Sequence, residues 1–167
     1  MSPPSQPKAS LADKARANVT SILTHALAEE LLLSSTTREF YANFPTFHSL
    51  HRLFADQYRE LEQWLDRLAQ RTWSMSSPAS TPMEELASAR CVGFRDRVPE
   101  RTMIGELLGL HEELAKRLQD DERTCVQQFG DAGTAEILRR LVEFHETTAW
   151  MLRTVLEGQA STPAHSR

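Results

Sequence analysis

The chain has 167 residues, 40% hydrophobic and 25% charged, with a net charge of -4 and only six glycines. That length suffices for one domain with a real core, and the mildly acidic balance argues against a dedicated nucleic-acid-binding domain, which would carry a basic patch. No apolar run approaches the ~18 residues needed to span a bilayer. The N-terminus lacks a charged start followed by an apolar segment, so no export signal and a cytoplasmic location are expected.

Residues 1–10 hold three prolines and read as a flexible tail. From about Leu11 to Tyr41, Val19, Ile22, Leu23, Ala26, Leu27 and Leu31 recur at steps of three and four, which predicts an amphipathic helix. Asn43-Phe44-Pro45 ends it, because the residue before a proline is pushed out of the helical region. The second helix has the cleanest period. Phe47, Leu50, His51, Phe54, Tyr58, Leu61, Leu65, Leu68 and Thr72 form its stripe, and its span to Trp73 is about 40 Å. Ser76 to Pro82 breaks it, and a short helix is expected between Pro82 and Phe94. A third long helix runs from about Glu100 to Gln128, with Ile104, Leu107, Leu108, His111, Leu114 and Leu118 on one side. Gly130-Asp131-Ala132-Gly133 stops it. The fourth helix begins near Gly133, capped by Asp131 or Thr134, with Glu136 in its first turn. Its stripe is Ile137, Leu138, Leu141, His145, Thr148, Leu152 and Val155, and residues 159–167 read as a second tail.

The first two helices are joined by few residues, as are the last two, whereas roughly two dozen separate the second from the third. Two hairpins and one long crossover carrying a short helix predict an all-α, ferritin-like four-helix bundle over residues 11–158.

Ferritin-like di-iron proteins usually carry Glu-x-x-His pairs aimed into the bundle, and that spacing is absent. His48 and His51 lie one turn apart, and Asp66 and Gln70 lie on the flank of the same helix, about four turns beyond His51. One chain cannot bring His51 and Asp66 to a single ion; a site using both needs two chains. Cys91 and Cys125 match no metal or redox spacing and read as free thiols.

The run from Glu39 to His51 resembles the pattern H-W-N-V-x-G-P-x-F-H-x-L-H, and Phe54, Gln57, Tyr58, Glu60, Leu61, Asp66, Ala69 and Arg71 continue the match. Gly130 to Leu138 and His145 to Arg153 resemble D-x-G-T-A-D-L-L and H-E-K-x-A-W-M-L-R. Together these patterns resemble the Dps family of small bacterial ferritins. The resemblance implies a dodecameric cage that oxidises ferrous iron, stores the mineral and protects against oxidative stress, with ferroxidase sites between two-fold related subunits. Carried over position by position, it implies a metal and catalytic set of Glu39 and His51 from one subunit with Asp66 and Gln70 from the other. Glu39 stands where the family has its first histidine, Gln70 where it has a glutamate, Phe40 and Tyr41 where it has Trp and Asn, and Ala55 at a further acidic position. Two outcomes stay open: an altered site that still binds iron, or a structural cage acting through DNA or another partner. The resemblance also implies an acidic three-fold pore, for which Asp131 and Glu136 are candidates, with Asp120, Asp121 and Glu122 nearby. DNA contact through Lys8, Lys14 and Arg16 is expected to be weak and salt-sensitive.

Overall fold

The computed structural model describes residues 11–43, 48–75 and 99–160. These form four α-helices: α1 (Leu11–Asn43), α2 (His48–Met75), α3 (Glu100–Gln127) and α4 (Ala132–Ala160). No strand occurs among the described residues, and no helix there is long and apolar enough to cross a membrane. The expected N-terminal tail and the short helix expected in the crossover lie outside the described residues; of the expected C-terminal tail, residues 159 and 160 instead continue α4, and residues 161–167 lie outside the described residues.

Side-chain contacts fix the topology. Ser34 Oγ donates to Glu62 at 2.8 Å and Tyr41 meets His51, so α1 and α2 run antiparallel. On the other side, Arg101 reaches the Leu156 carbonyl at 2.9 Å and Gln119 donates to Glu146 at 3.1 Å, so α3 and α4 are also antiparallel. Arg71 near the end of α2 binds Thr134 and Asp131 at the start of α4, while Trp64 meets Phe144 further along. Helices α2 and α4 are therefore antiparallel, which leaves α2 and α3 parallel. The end of α2 and the start of α3 accordingly lie at opposite ends of the bundle. This is the ferritin-like connectivity and not an up-down bundle.

The α3–α4 corner shows how local sequence sets the fold. Gly130 takes φ +64°, and the N–H groups of Gly130 and Asp131 close onto the Val126 and Cys125 carbonyls at 3.2 and 2.9 Å. That left-handed residue with two back-reaching bonds ends α3. Asp131 then starts α4, its Oδ1 accepting from the N–H of Gly133 and of Thr134 at 3.1 Å each.

Leu23, Phe40, Phe54, Leu61, Leu68, Ile104, Leu107, Leu118, Leu138, Leu141 and Leu152 fill the core. Two stripes differ from the sequence reading. On α1 Leu31 is exposed and Glu30 is fully buried. On α2 the buried flank runs through Gln57 and Trp64, while Tyr58 and Leu65 are half-buried.

Candidate metal centre

The end of the α1–α2 hairpin carries the first group of residues. Phe40 points into the core, Glu39 is buried, and Tyr41 is half-buried. The Tyr41 ring stacks on His51, with centroids 4.1 Å apart and planes 26° apart. At about 100° per residue, Glu39 and Tyr41 lie about 200° apart around α1. Tyr41 is one α1 side chain that packs against His51. His51 is half-buried, and its Nδ1 is buried with no hydrogen bond among the described residues.

Asp66 and Gln70 are exposed on α2, about 22 and 28 Å along the helix axis from His51. A single chain keeps these two groups apart. Among the described residues, no three His, Cys, Asp or Glu side chains converge on a point that could hold a metal ion. The side chain of His48 lies outside the described residues.

Sequence reasoning placed His111 and His145 on apolar stripes but did not connect them. The structure joins them to Glu30 in a buried polar chain across three helices. His145 Nε2 lies 2.6 Å from Glu30 Oε1, and His145 Nδ1 lies 2.9 Å from His111 Nδ1. All three residues are fully buried. With Nε2 protonated, His145 donates to the carboxylate and its Nδ1 can accept from His111. Burial, and after it the neighbouring His145, lowers the His111 pKa to about 3, so this ring stays neutral. Glu30 Oε2, His111 Nε2 and the hydroxyls of Thr37 and Thr148 are also buried without hydrogen bonds among the described residues. The available signal was one ionisable residue on or beside the apolar stripe of each of three helices. Its meaning required knowing that those stripes face one another.

The pore candidates occupy well-defined positions. Asp131 caps α4, takes 2.8 Å hydrogen bonding from Arg71 and accepts the Thr134 hydroxyl at 2.6 Å. Burial pushes its pKa up, but the bonds from Thr134 and Gly133 and the Arg71 charge outweigh this and hold it below the usual carboxylate range. Glu136 is gripped by Arg139 and Arg140, which lower its pKa. Asp120 pairs with Arg123. Burial, followed by the nearby Glu29, raises the pKa of Asp121. Cys125 is a free, buried thiol whose pKa is pushed up to about 11, first by burial and then by the surrounding carboxylates. Cys91 lies outside the described residues.

A four-helix bundle with this crossover and this interior defines a ferritin-like class of protein. A family model described as a ferritin-like domain matches residues 20–160, and the chain belongs to that family. Similar proteins include an uncharacterized low temperature-induced protein of Nostoc sp., 34% identical over 157 residues, spanning 92% of this chain and 88% of that protein. A homologue from Anabaena variabilis gives the same figures. Among solved structures, Dps from Thermosynechococcus elongatus superposes with a TM-score of 0.75 at 24% identity, covering 88% of this chain and 95% of that one. DpsC from Streptomyces coelicolor gives 0.75 at 22% identity, over 99% and 94% of the two chains. Dps from Vibrio cholerae, described as a member of a broad superfamily of ferritin-like diiron-carboxylate proteins, gives 0.74 at 22%, over 86% and 92%. The fold is therefore that of Dps proteins.

Proposed function

We propose that this chain is the subunit of a homo-oligomeric, dodecameric cage that takes up, oxidises and stores iron and so protects the cell from oxidative stress. Oxidation would occur at a modified site shared by two chains, with Glu39 and His51 from one and Asp66 and Gln70 of the partner subunit. The observation that carries this reading is the separation on α2. His51 presents a buried, unbonded ring nitrogen at one end, and Asp66 and Gln70 stand exposed some 22 Å or more away. Groups so placed meet only across a contact between copies.

The donor types fit the substrate. Carboxylate and amide oxygens suit Fe(II), a hard to borderline cation, and a neutral imidazole adds a nitrogen donor. An orphaned imidazole nitrogen is a cost in a buried position unless something occupies it, which supports a ligand role for His51. Asp66 supplies negative charge, and Gln70 supplies a neutral carbonyl oxygen where a charged donor would bind more tightly. Asp131 and Glu136 are already compensated by arginines. A negative iron-entry pore would therefore draw little unpaired charge from either.

Stopped-flow oxidation of Fe(II) by hydrogen peroxide tests the proposal, alongside the mass of the assembly by light scattering. Wild type should oxidise iron saturably, and His51→Ala or Asp66→Ala should abolish saturation without changing the mass. Should both variants match wild type, the second reading takes over: a structural cage acting by mineral surface chemistry or by holding DNA, for which the exposed Lys14 and Arg16 at the start of α1 are available.

A further inference from the structure

We infer that the interior of the bundle is a binding site for ordered water, held between the Glu30–His145–His111 chain and the side chains of Thr37, Gln57 and Thr148, and that this water joins all four helices. It stands independently of the iron site. It starts from six buried side-chain atoms that make no hydrogen bond among the described residues: Glu30 Oε2 and Thr37 Oγ1 on α1, both ends of the Gln57 amide on α2, His111 Nε2 on α3 and Thr148 Oγ1 on α4. The five residues are at most 3% exposed. A buried donor or acceptor left unmatched costs the full desolvation of that group, and buried polar atoms in folded proteins are bonded to protein or to ordered water.

Helix register puts the six atoms in one zone. Ser34 faces Glu62 and Tyr41 faces His51, so Thr37 on α1 is level with Gln57 on α2. Glu30 and His111 both meet His145 on α4, and Thr148 follows about one turn later. Helices α1 and α4 are parallel, so Thr37, two turns past Glu30, lies about 10 Å beyond that level on the same side as Thr148. Trp64 meets Phe144, and because α2 runs antiparallel to α4, Gln57 and Thr148 both lie further along in that direction. The zone is therefore about 10 Å long and takes groups from every helix.

The set suits water better than a metal ion. The hydroxyls of Thr37 and Thr148 donate and accept, Gln57 Nε2 only donates, Glu30 Oε2 accepts, and His111 Nε2 accepts when its Nδ1 donates to His145. A molecule that does both matches such a mixture, whereas the Gln57 amide nitrogen offers a cation only hydrogens. At about three hydrogen bonds per buried water, six atoms call for about two molecules. Thr148 also lines a cleft of about 530 Å³ between α2 and α4, beside Trp64, Phe144 and Met151, which brings solvent to the edge of the zone.

Two measurements on the purified full-length protein test this. A crystal structure at a resolution that shows ordered water should hold density within hydrogen-bonding distance of Thr148 Oγ1 and of Glu30 Oε2 or His111 Nε2. The absence of such density overturns the inference, as does an anomalous signal that marks it as a metal ion. Urea unfolding of Thr37→Val and Thr148→Val asks the same question by sign. Each variant replaces a hydroxyl by a methyl of similar size, so a hydroxyl bonded to water makes the variant unfold at lower urea, and a hydroxyl left dry makes it unfold at higher urea. We expect both midpoints to fall. A midpoint that stays or rises in either variant overturns the inference.

Discussion

His111 is a basic group enclosed where a proton is not welcome. Its pKa falls to about 3 because burial removes the solvation of an imidazolium and because His145 faces it at 2.9 Å. In the unfolded chain the same ring titrates near 6.5. Between those values the unfolded chain binds a proton that the folded chain refuses, so stability declines as pH drops below about 6.5 and is unaffected by this group above it. The slope contributed by one such proton is up to about 1.4 kcal/mol per pH unit. Glu30 on α1 is the carboxylate bonded to His145, and α2 contributes Trp64 there, packed on Phe144. His111→Gln keeps a hydrogen-bonding side chain but cannot titrate. Urea unfolding of this variant between pH 6.5 and about 5, above the ordinary carboxylate range, should lose most of the pH slope seen in wild type. An unchanged slope would mean that His111 accepts its proton in the folded state.

At the scale of the helix, α4 depends on one residue for its start. Asp131 satisfies the N–H groups of Gly133 and Thr134 and at the same time ties α4 to α2 through Arg71. Loss of a capping side chain costs about 1 kcal/mol, and the Arg71 pair, only partly exposed, adds a hydrogen bond to a charged group. Asp131→Ala should therefore lose about 2 kcal/mol in urea unfolding with an unchanged m-value, while Asp131→Asn, which still caps, should lose less. Equal losses would show that the ion pair, and not the cap, carries the effect. This corner was legible in the sequence because its determinants are local: a glycine able to take positive φ, then an aspartate. The four helices and their breaks were legible for the same reason.

What could not be read is which flank of a stripe turns inward. On α2, Phe54-Tyr58-Leu61-Leu65-Leu68 and Phe54-Gln57-Leu61-Trp64-Leu68 alternate steps of three and four equally well, and only packing against α1 and α4 selects the second as buried. On α1, Leu31 has the hydropathy of a core residue, yet Glu30 is inside because its partner His145 lies 115 positions later in the chain. The α1 side of the candidate site shows the same limit. That Tyr41 stacks on His51 emerges only once α1 and α2 are docked.

For the whole molecule, the proposed cage turns on which faces of the bundle would meet other copies. Two tryptophans are open in the single chain, Trp73 at 77% and Trp150 at 63% exposure, while Trp64 is buried. Trp73 lies in the last turn of α2. Trp150 sits on α4 in a stretch described on both sides, among exposed residues including Glu146, Thr147, Arg153 and Thr154. Tryptophan is enriched at protein interfaces, and where it is a hot spot its truncation costs about 2 kcal/mol or more. In a closed assembly each chain repeats the loss, so one substitution is multiplied over every equivalent contact. Trp150→Asp should therefore shift the protein from the assembled mass to a smaller species in light scattering, with the helical far-UV spectrum retained because the side chain contributes little to the bundle core. If the smaller species is a dimer that still oxidises Fe(II) saturably, the iron site belongs to a contact that Trp150 does not stabilise. If the mass is unchanged, Trp150 faces solvent or the interior of the shell, and the contacts that close the assembly must be sought on the other faces of α2 and α4.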